Sequence, residues 1–238
     1  MDGNGRWALD RRYGRTWGHR EGARRVDDIV SECRRLNVKY LTLYAFSTEN
    51  WNRPKSEVNL LMRLLVQHLK TMDKKLRKNF VKLNVQGTID RLPSFVRREL
   101  DRVCRVTSTY PAKMELTLCL SYGGRQEIVD ACKKLASQVA RGEISTNDIT
   151  EETISANLYR PDLPDPDLMI RTGGEYRISN FLLWQVAYSE LYVTPTLWPD
   201  FREEDLAEAV ASFQNRERRF GLTSSQIRPT PLEAGEVL

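Results

Sequence analysis

The chain has 238 residues and carries 37 Lys and Arg against 32 Asp and Glu, a net charge of +5. Apolar content of 40% and charged content of 29% belong to a globular protein and exclude a disordered or fibrous chain. The surplus of positive charge suits anionic ligands, whether nucleic acid, phosphorylated metabolites or acidic membrane surfaces.

The first eight residues, MDGNGRWA, hold two glycines, Asp2, Asn4 and Arg6 ahead of a helical pattern that begins near Trp17. Glycines let backbone N–H groups close on an anion, and a helix N-terminus behind them adds favourable partial charge. Arg6 can pair with phosphate oxygens and Asp2 can hold a hard cation such as Mg²⁺. Taken alone, so short a string is better explained by a turn without a ligand.

Arg11, Arg12, Arg15, His19, Arg20, Arg24 and Arg25 crowd the next stretch. Ala23, Val26, Ile29, Val30, Cys33 and Leu36 follow at helical spacing, which predicts an amphipathic helix with a basic N-terminal end. That end is either a solvated face or one turned to phosphate, and a lone His19 reads first as structural. Tyr40 to Phe46 is a nearly continuous apolar run, a strand buried on both faces as in a parallel sheet. It runs into STENWNRP, placing Ser47, Glu49, Asn50, Trp51 and Arg53 where open α/β sheets hold their ligands.

Val58 to Leu69 predicts a second helix, apolar on more than one face, so it is either core or one wall of an apolar channel. A basic stretch, Lys74 to Lys78, leads to a strand at Val81 to Val85. Pro93 opens a helix ending near Thr107. MELTLCLSY is a further buried strand. Gly123 and Gly124 then turn into a helix with the stripe Ile128, Cys132, Leu135 and Val139. Those two glycines suit an anion or tight packing equally. Thr146 to Leu158 predicts a short helical excursion, PDLPDPD a stiff connector, and DLMIRTGG a strand that ends in Arg171. FLLWQVAYSELY and TPTLWP are apolar and aromatic with Glu190 between them, and a last helix runs from about Glu203 to Phe220. Cys33, Cys104, Cys119 and Cys132 lie in apolar periodic segments with no C-x-x-C pair, and read as buried free thiols. No run is long and apolar enough to cross a bilayer and no signal peptide is expected, which predicts a cytoplasmic protein.

Alternating buried strands and amphipathic helices predict an α/β fold, a mostly parallel central sheet flanked by helices on both faces. No linker divides the chain, so residues 1–222 are expected to form one domain, with 223–238 a mobile tail. Three strand ends carry polar loops with Arg or Gly, and in one parallel sheet such loops converge on one cleft.

MDGNGRWA, RTWGHREG (residues 15–22), LYAFSTENWNRP, SYGGR, and RTGGEYRISNFLLWQ with YSELY and LWPDF resemble the motifs of the cis-prenyltransferases, nearest the bacterial undecaprenyl diphosphate synthases. The likeness covers nearly the whole chain up to about Leu222. It implies a Mg²⁺-dependent enzyme that adds isopentenyl diphosphate to an allylic diphosphate, usually farnesyl diphosphate, with cis double bonds. The family fold contains a hydrophobic tunnel, and its usual state is a homodimer. By the same resemblance Asp2 binds Mg²⁺ and assists departure of the allylic diphosphate, while Gly3, Asn4, Gly5, Arg6, Trp7, Arg15 and His19 hold that group. Ser47, Thr48, Glu49, Trp51 and Arg53 position substrate. Asn50 matches a position assigned the proton-acceptor role, but an amide is a poor base. It is expected to orient groups while pyrophosphate or water takes the proton. Arg171, Arg177, Ile178 and Ser179 match the isopentenyl diphosphate site, and Glu190 would complete the metal site. Leu61, Leu64 and Leu65 are candidates for the tunnel wall. A long lipid product would also bring peripheral membrane contact.

In the family an apolar strand precedes the first motif, and Met1 stands where that strand ends. The expectation is therefore that the native product begins upstream and that Asp2 here sits on a frayed end. Two rival readings remain: a non-catalytic partner subunit of a two-component enzyme, which the intact Asp2 to Arg6 loop weighs against, and a nucleic-acid-binding protein. The latter needs a continuous basic stripe interleaved with aromatics. The charges collect instead at strand-end loops, so no nucleic-acid partner is expected.

Overall fold

The structure, a computed structural model, describes residues 1–216. The last residues of the expected final helix and the expected tail at 223–238 lie outside them. The elements run α1 (Asn4–Asp10), α2 (Arg15–Arg35), β1 (Tyr40–Ser47), α3 (Lys55–Lys78), β2 (Val81–Gln86), α4 (Ser94–Thr107), β3 (Met114–Tyr122), α5 (Gly124–Ala140), α6 (Glu151–Asn157), β4 (Leu168–Arg171), β5 (Glu190–Val193) and α7 (Glu203–Gln214).

The strands form two parallel sheets, β1-β3-β2 and β4-β5. β3 is central, and its alternation explains why a continuous apolar run was needed. Met114, Leu116, Leu118 and Leu120 enter the main core with Ile29, Val30, Met62, Leu69, Met72, Val96 and Leu100 from α2, α3 and α4. Cys119 and Tyr122 of the same strand join Leu182, Tyr44 and Phe181 in a second cluster. Burying each such side chain stabilises the fold by about 1.5–3 kcal/mol, so a sheet lined on both faces fixes its strands in register. The pairing of β1 with β3 shifts between Tyr44 and Ser47. Such irregularities bend a strand end, and here the bend leads into a 3₁₀ turn over Thr48–Asn52.

Several expectations are corrected. Residues 4–10 are a helix, not an extended glycine loop: Gly3 supplies a left-handed start at φ 100° that a residue with a Cβ takes only with strain. The Lys74 to Lys78 stretch is the end of α3, where lysines favour the negative end of the helix dipole. On α5 the buried line is Glu127, Ala131 and Leu135, not the stripe through Cys132, which is exposed. Glu127 is buried because Tyr122 Oη, Tyr159 N and Gln185 Nε2 donate to its carboxylate at 2.5, 3.0 and 3.1 Å. Cys104 is half-buried, and Cys33 and Cys119 are buried. Burial pushes the Cys33 thiol up to about 12, which makes it inert. On α3 the fully buried set is Val58, Met62, Leu69, Met72 and Leu76. Leu61, Leu64 and Leu65 are half-buried beside it, leaving apolar surface open. No described helix is long and apolar enough to cross a membrane.

Candidate active site

The C-terminal ends of β1 and β4 and the segment before α1 supply the site. Asp2 is tied down: its N–H donates to Thr172 Oγ1 at 2.9 Å, Thr172 Oγ1 donates to its carbonyl at 3.0 Å, and Trp198 N donates to the same carbonyl at 2.9 Å. The expected frayed end is therefore not seen. Asp2 Oδ1 accepts from Gly3 N at 2.7 Å and Oδ2 from Arg171 Nη2 at 2.9 Å, with Arg6 Nη2 3.8 Å away. Burial pushes this carboxyl up. The Arg171 hydrogen bond, the Gly3 N–H and the charges of Arg171 and Arg6 outweigh it and hold Asp2 below the usual carboxylate value.

Arg171 also donates through Nη1 to the Arg177 carbonyl and to Ser179 Oγ, the latter at 2.8 Å. Glu175 bridges Arg177 at 2.6 Å and Arg6 at 3.8 Å. Three guanidiniums thus converge on two carboxylates, with Arg6 shared between Asp2 and Glu175. Gly173 makes room for them, since at φ 89° a Cβ there would lie 2.5 Å from Arg6 Nη2. Ile178 contributes backbone, its carbonyl accepting from Phe181 N. Trp7 turns outward, donating through Nε1 to Asp200 at 2.7 Å under the Arg11 guanidinium.

Asn4 sits against α2, where a Cβ on Gly18 would lie 1.8 Å from its carbonyl and one on Gly22 2.0 Å from its Oδ1. Arg15 Nε lies 3.9 Å from the Cβ direction of Gly5. One helical turn on, His19 Nε2 faces Glu57 at 3.8 Å, and Glu57 accepts from Arg53 at 3.1 Å. Burial, then the Arg53 charge, lowers the His19 pKa, with Arg15 adding to it and Glu57 opposing, so the neutral imidazole is favoured.

In the 3₁₀ turn Asn50 Oδ1 accepts from Ser47 N at 3.1 Å, and Thr48 Oγ1 donates to Glu49 at 3.1 Å. Asn50 thereby caps the start of the turn. Trp51 Nε1 donates to Ser121 Oγ at 2.9 Å and its ring packs edge-on to Phe46. Asn180 joins this turn to the Arg171 loop: Nδ2 donates to Glu49 Oε1 at 2.8 Å, and its Oδ1 accepts from Arg125 N at 2.8 Å. A cavity of about 200 Å³ lies here, lined by Glu49, Arg125, Asn180 and Leu183.

Glu190 is not brought to Asp2. It pairs with Leu168 at the start of the β4–β5 ladder, whereas Arg171 pairs with Val193 at its end. Its carboxylate accepts from Arg216 at 2.8 Å. Within one chain it is therefore not a second ligand beside Asp2, because a parallel strand of four residues separates the two positions. Thr172, Glu57 and Asn180 belong to the site and were missed. Thr172 and Asn180 are ordinary polar residues whose partners lie 170 and 131 positions away, and Glu57 enters through His19, on another helix.

Mg²⁺ is held by one or two carboxylates together with substrate phosphates and water. Asp2 fits that mode. No group of three His, Cys, Asp or Glu able to cage a metal occurs among the described residues. Arg171 Nε is buried without a hydrogen-bond partner, as expected where a phosphate oxygen completes the set; Asn4 Oδ1 also lacks one, but it is pressed against Gly22 of α2.

A parallel α/β sheet whose strand ends gather three arginines around two carboxylates has the make-up of a site for phosphorylated ligands. The family model described as "Putative undecaprenyl diphosphate synthase" matches residues 1–221. A ditrans,polycis-undecaprenyl-diphosphate synthase of Vibrio vulnificus, described as specific for (2E,6E)-farnesyl diphosphate, is 46% identical over 96% of this chain and 90% of its own length. An isoprenyl transferase of Geobacter sulfurreducens is 48% identical over 95% and 92%. The solved lavandulyl diphosphate synthase of Lavandula x intermedia, in complex with dimethylallyl diphosphate, superposes with a TM-score of 0.90 at 36% identity, covering 93% of this chain and 95% of that one. The chain belongs to the undecaprenyl diphosphate synthase family of cis-prenyltransferases and is a prenyl-transferring enzyme.

Proposed function

We propose that this domain, residues 1–222, is a Mg²⁺-dependent synthase that extends farnesyl diphosphate with isopentenyl diphosphate to a long-chain polyprenyl diphosphate. The product would be undecaprenyl diphosphate for the cell-wall lipid carrier, made by a cytoplasmic homodimer. One observation carries the reading: Asp2 stands inside an arginine cluster, 2.9 Å from Arg171 and 3.8 Å from Arg6. In a simple anion site a carboxylate would repel the ligand. It would be useful where it holds a divalent cation that accompanies a diphosphate.

When bound, Mg²⁺ neutralises charge that develops on the departing diphosphate. Asp2 holds that ion. Arg6, Gly3, Asn4 and Gly5 with Arg15 and His19 grip the allylic diphosphate, and the guanidiniums favour the transition state because they are already placed where charge grows. Arg171, Arg177 and Ser179 grip isopentenyl diphosphate on the other side. Asn50 orients groups near the transferred carbon. Ser47, Thr48, Glu49, Trp51 and Arg53 build the turn that closes over them. The half-buried Leu61, Leu64 and Leu65 receive the growing chain, gaining about 0.8 kcal/mol per buried CH₂.

The test is turnover of farnesyl diphosphate with labelled isopentenyl diphosphate, with Mg²⁺ or with chelator, beside Asp2→Ala. The expected result is a metal-dependent polyprenyl diphosphate, lost with chelator and reduced by roughly a hundredfold or more in the variant. Product length names the product. A folded chain that makes none, or makes it equally in chelator, overturns the reading.

A further inference from the structure

We propose that the outer face of the α1–α2 hairpin docks on an anionic phospholipid surface. Leu9, Tyr13 and Trp17 are 57, 50 and 48% exposed, side by side on a surface where large apolar groups are normally scattered. Their rings form a chain, Trp7 to Tyr13 at 6.4 Å and Tyr13 to Trp17 at 5.8 Å. Ring contact staples the turn between the two helices, but that role needs only the inner edges and leaves the outer halves unexplained. The same stretch of chain, residues 10–24, carries Arg11, Arg12, Arg15, Arg20 and Arg24 against Asp10 and Glu21. Arg11 is paired with Asp200 at 2.9 Å and Arg24 with Glu21 at 2.6 Å. Arg12 and Arg20 have no carboxylate partner among the described residues.

Trp and Tyr flanked by arginine is the composition that sits at the headgroup level of a bilayer, rings inward and guanidiniums on lipid phosphate. Charge complementarity selects an anionic surface. Single-stranded nucleic acid fits less well, because bases stack on open ring faces. Here the Arg11 guanidinium lies 4.4 Å over Trp7 and that of Arg20 5.6 Å over Trp17. The patch is rigidly coupled to the site: α1 begins with Asn4, Gly5 and Arg6, and it packs on α2 through Gly18. Docking would hold the site at the surface that receives a long-chain lipid product. This use of the patch rests on the synthase reading, whereas the lipid contact itself is measured without substrate.

The experiment is co-sedimentation of the full chain with vesicles of phosphatidylcholine alone, or with a quarter phosphatidylglycerol, at low and high salt. The chain is expected on the anionic vesicles only, and less at high salt. Tyr13→Ser with Trp17→Ser should weaken partitioning about tenfold, and Arg12→Gln with Arg20→Gln by roughly fivefold per arginine. Both should keep vesicle-free turnover within about twofold, since neither pair holds substrate. If the ring variant loses its fold by thermal melt, the arginine pair, exposed and without carboxylate partners, decides. Equal binding to neutral vesicles, full binding by the arginine variant, displacement by a single-stranded oligonucleotide, or a change of oligomeric state in its place each overturns the proposal. Turnover without vesicle binding sinks the docking surface alone; vesicle binding without turnover sinks the synthase reading alone.

Discussion

Asn180→Ala should loosen the enzyme without touching an atom of the proposed diphosphate grip. The Asn180 side chain makes two good hydrogen bonds, to the Glu49 carboxylate and from the Arg125 backbone, both at 2.8 Å. A neutral bond contributes about 1 kcal/mol, and one to a charged group about 1.5–3. Glu49 is exposed and Asn180 half-buried, so solvent screening discounts the bond to the carboxylate to about 1 kcal/mol, giving about 2 kcal/mol for the two. That energy ties the Thr48–Asn52 turn to the loop after β4. If it is spent on holding the two loops together during catalysis, kcat/KM falls roughly thirtyfold. If it is spent on the fold, the loss appears in the urea midpoint instead. Steady-state kinetics and denaturation on the same preparation separate the two. Asn180→Asp should be worse at neutral pH, because it sets a second carboxylate against Glu49. Burial pushes the Glu49 carboxyl up, but the Asn180 amide leads the groups that hold it below its ordinary value. Both variants within threefold of the parent in kcat/KM, with an unchanged midpoint, would refute the clasp.

Gly173→Ala should cost about 1 kcal/mol of stability for its φ of 89° and at least tenfold in kcat/KM, since the new methyl meets Arg6 at 2.5 Å; a wild-type KM for the allylic substrate would count against this. Gly18→Ala puts a Cβ 1.8 Å from the Asn4 carbonyl, so a loss of about 3 kcal/mol in chemical denaturation is expected, with α1 displaced. The folded-state pKa of His19 is depressed below 6.5, so the stability it contributes is present above 6.5 and lost as pH falls through the lower value; His19→Gln should flatten, not abolish, the acid-side fall of Tm, because His68 is depressed as well. Calorimetric titration should find Mg²⁺ binding at least about tenfold tighter with inorganic pyrophosphate present than without, a coupling that equal affinities would exclude.

The fold was legible wherever burial was uniform. β1 and β3 are nearly continuous apolar runs because both faces of the sheet are covered there, whereas the edge strand β2 alternates Val81, Leu83 and Val85 with Lys82, Asn84 and Gln86. Reading failed where a polar group is buried or a break is false. Glu127 takes three donors and rotates the buried face of α5 away from the apolar stripe. The lysines ending α3 look like a linker but are good helix formers at the favourable end of the dipole. β5 hides inside YSELY because Glu190 opens it and its partner strand is only four residues long. At the site, residue type alone pointed to Asp2 for a cation and Arg6 for phosphate, whereas Arg171 and Ser179 were named through the family resemblance. The bonds that join motifs could not, because no local spacing encodes the contact of Asn180 with Glu49 or of Thr172 with Asp2.

The charge count around Asp2 carries the mechanism one step further. Arg6, Arg171 and Arg177 stand against Asp2 and Glu175, which leaves one net positive charge in direct contact. That is little for a site that must take a diphosphate. The arginines are not free to spend on a ligand, since Arg171 is bonded to Asp2 and to Ser179, and Arg177 to Glu175. A bare diphosphate would have to break those pairs and would then face two uncovered carboxylates at close range, a repulsion that grows as water is excluded. Under the proposed reading a diphosphate with its cation would meet no such conflict, since Asp2 would hold the cation and Arg171 would be released to pair with phosphate. Each group would keep one opposite charge throughout. The Asp2–Arg171 pair is thus a placeholder that keeps both members positioned and solvated by each other. On that reading recognition of metal and diphosphate would be a single event, and Asp2 would serve binding selectivity as much as catalysis.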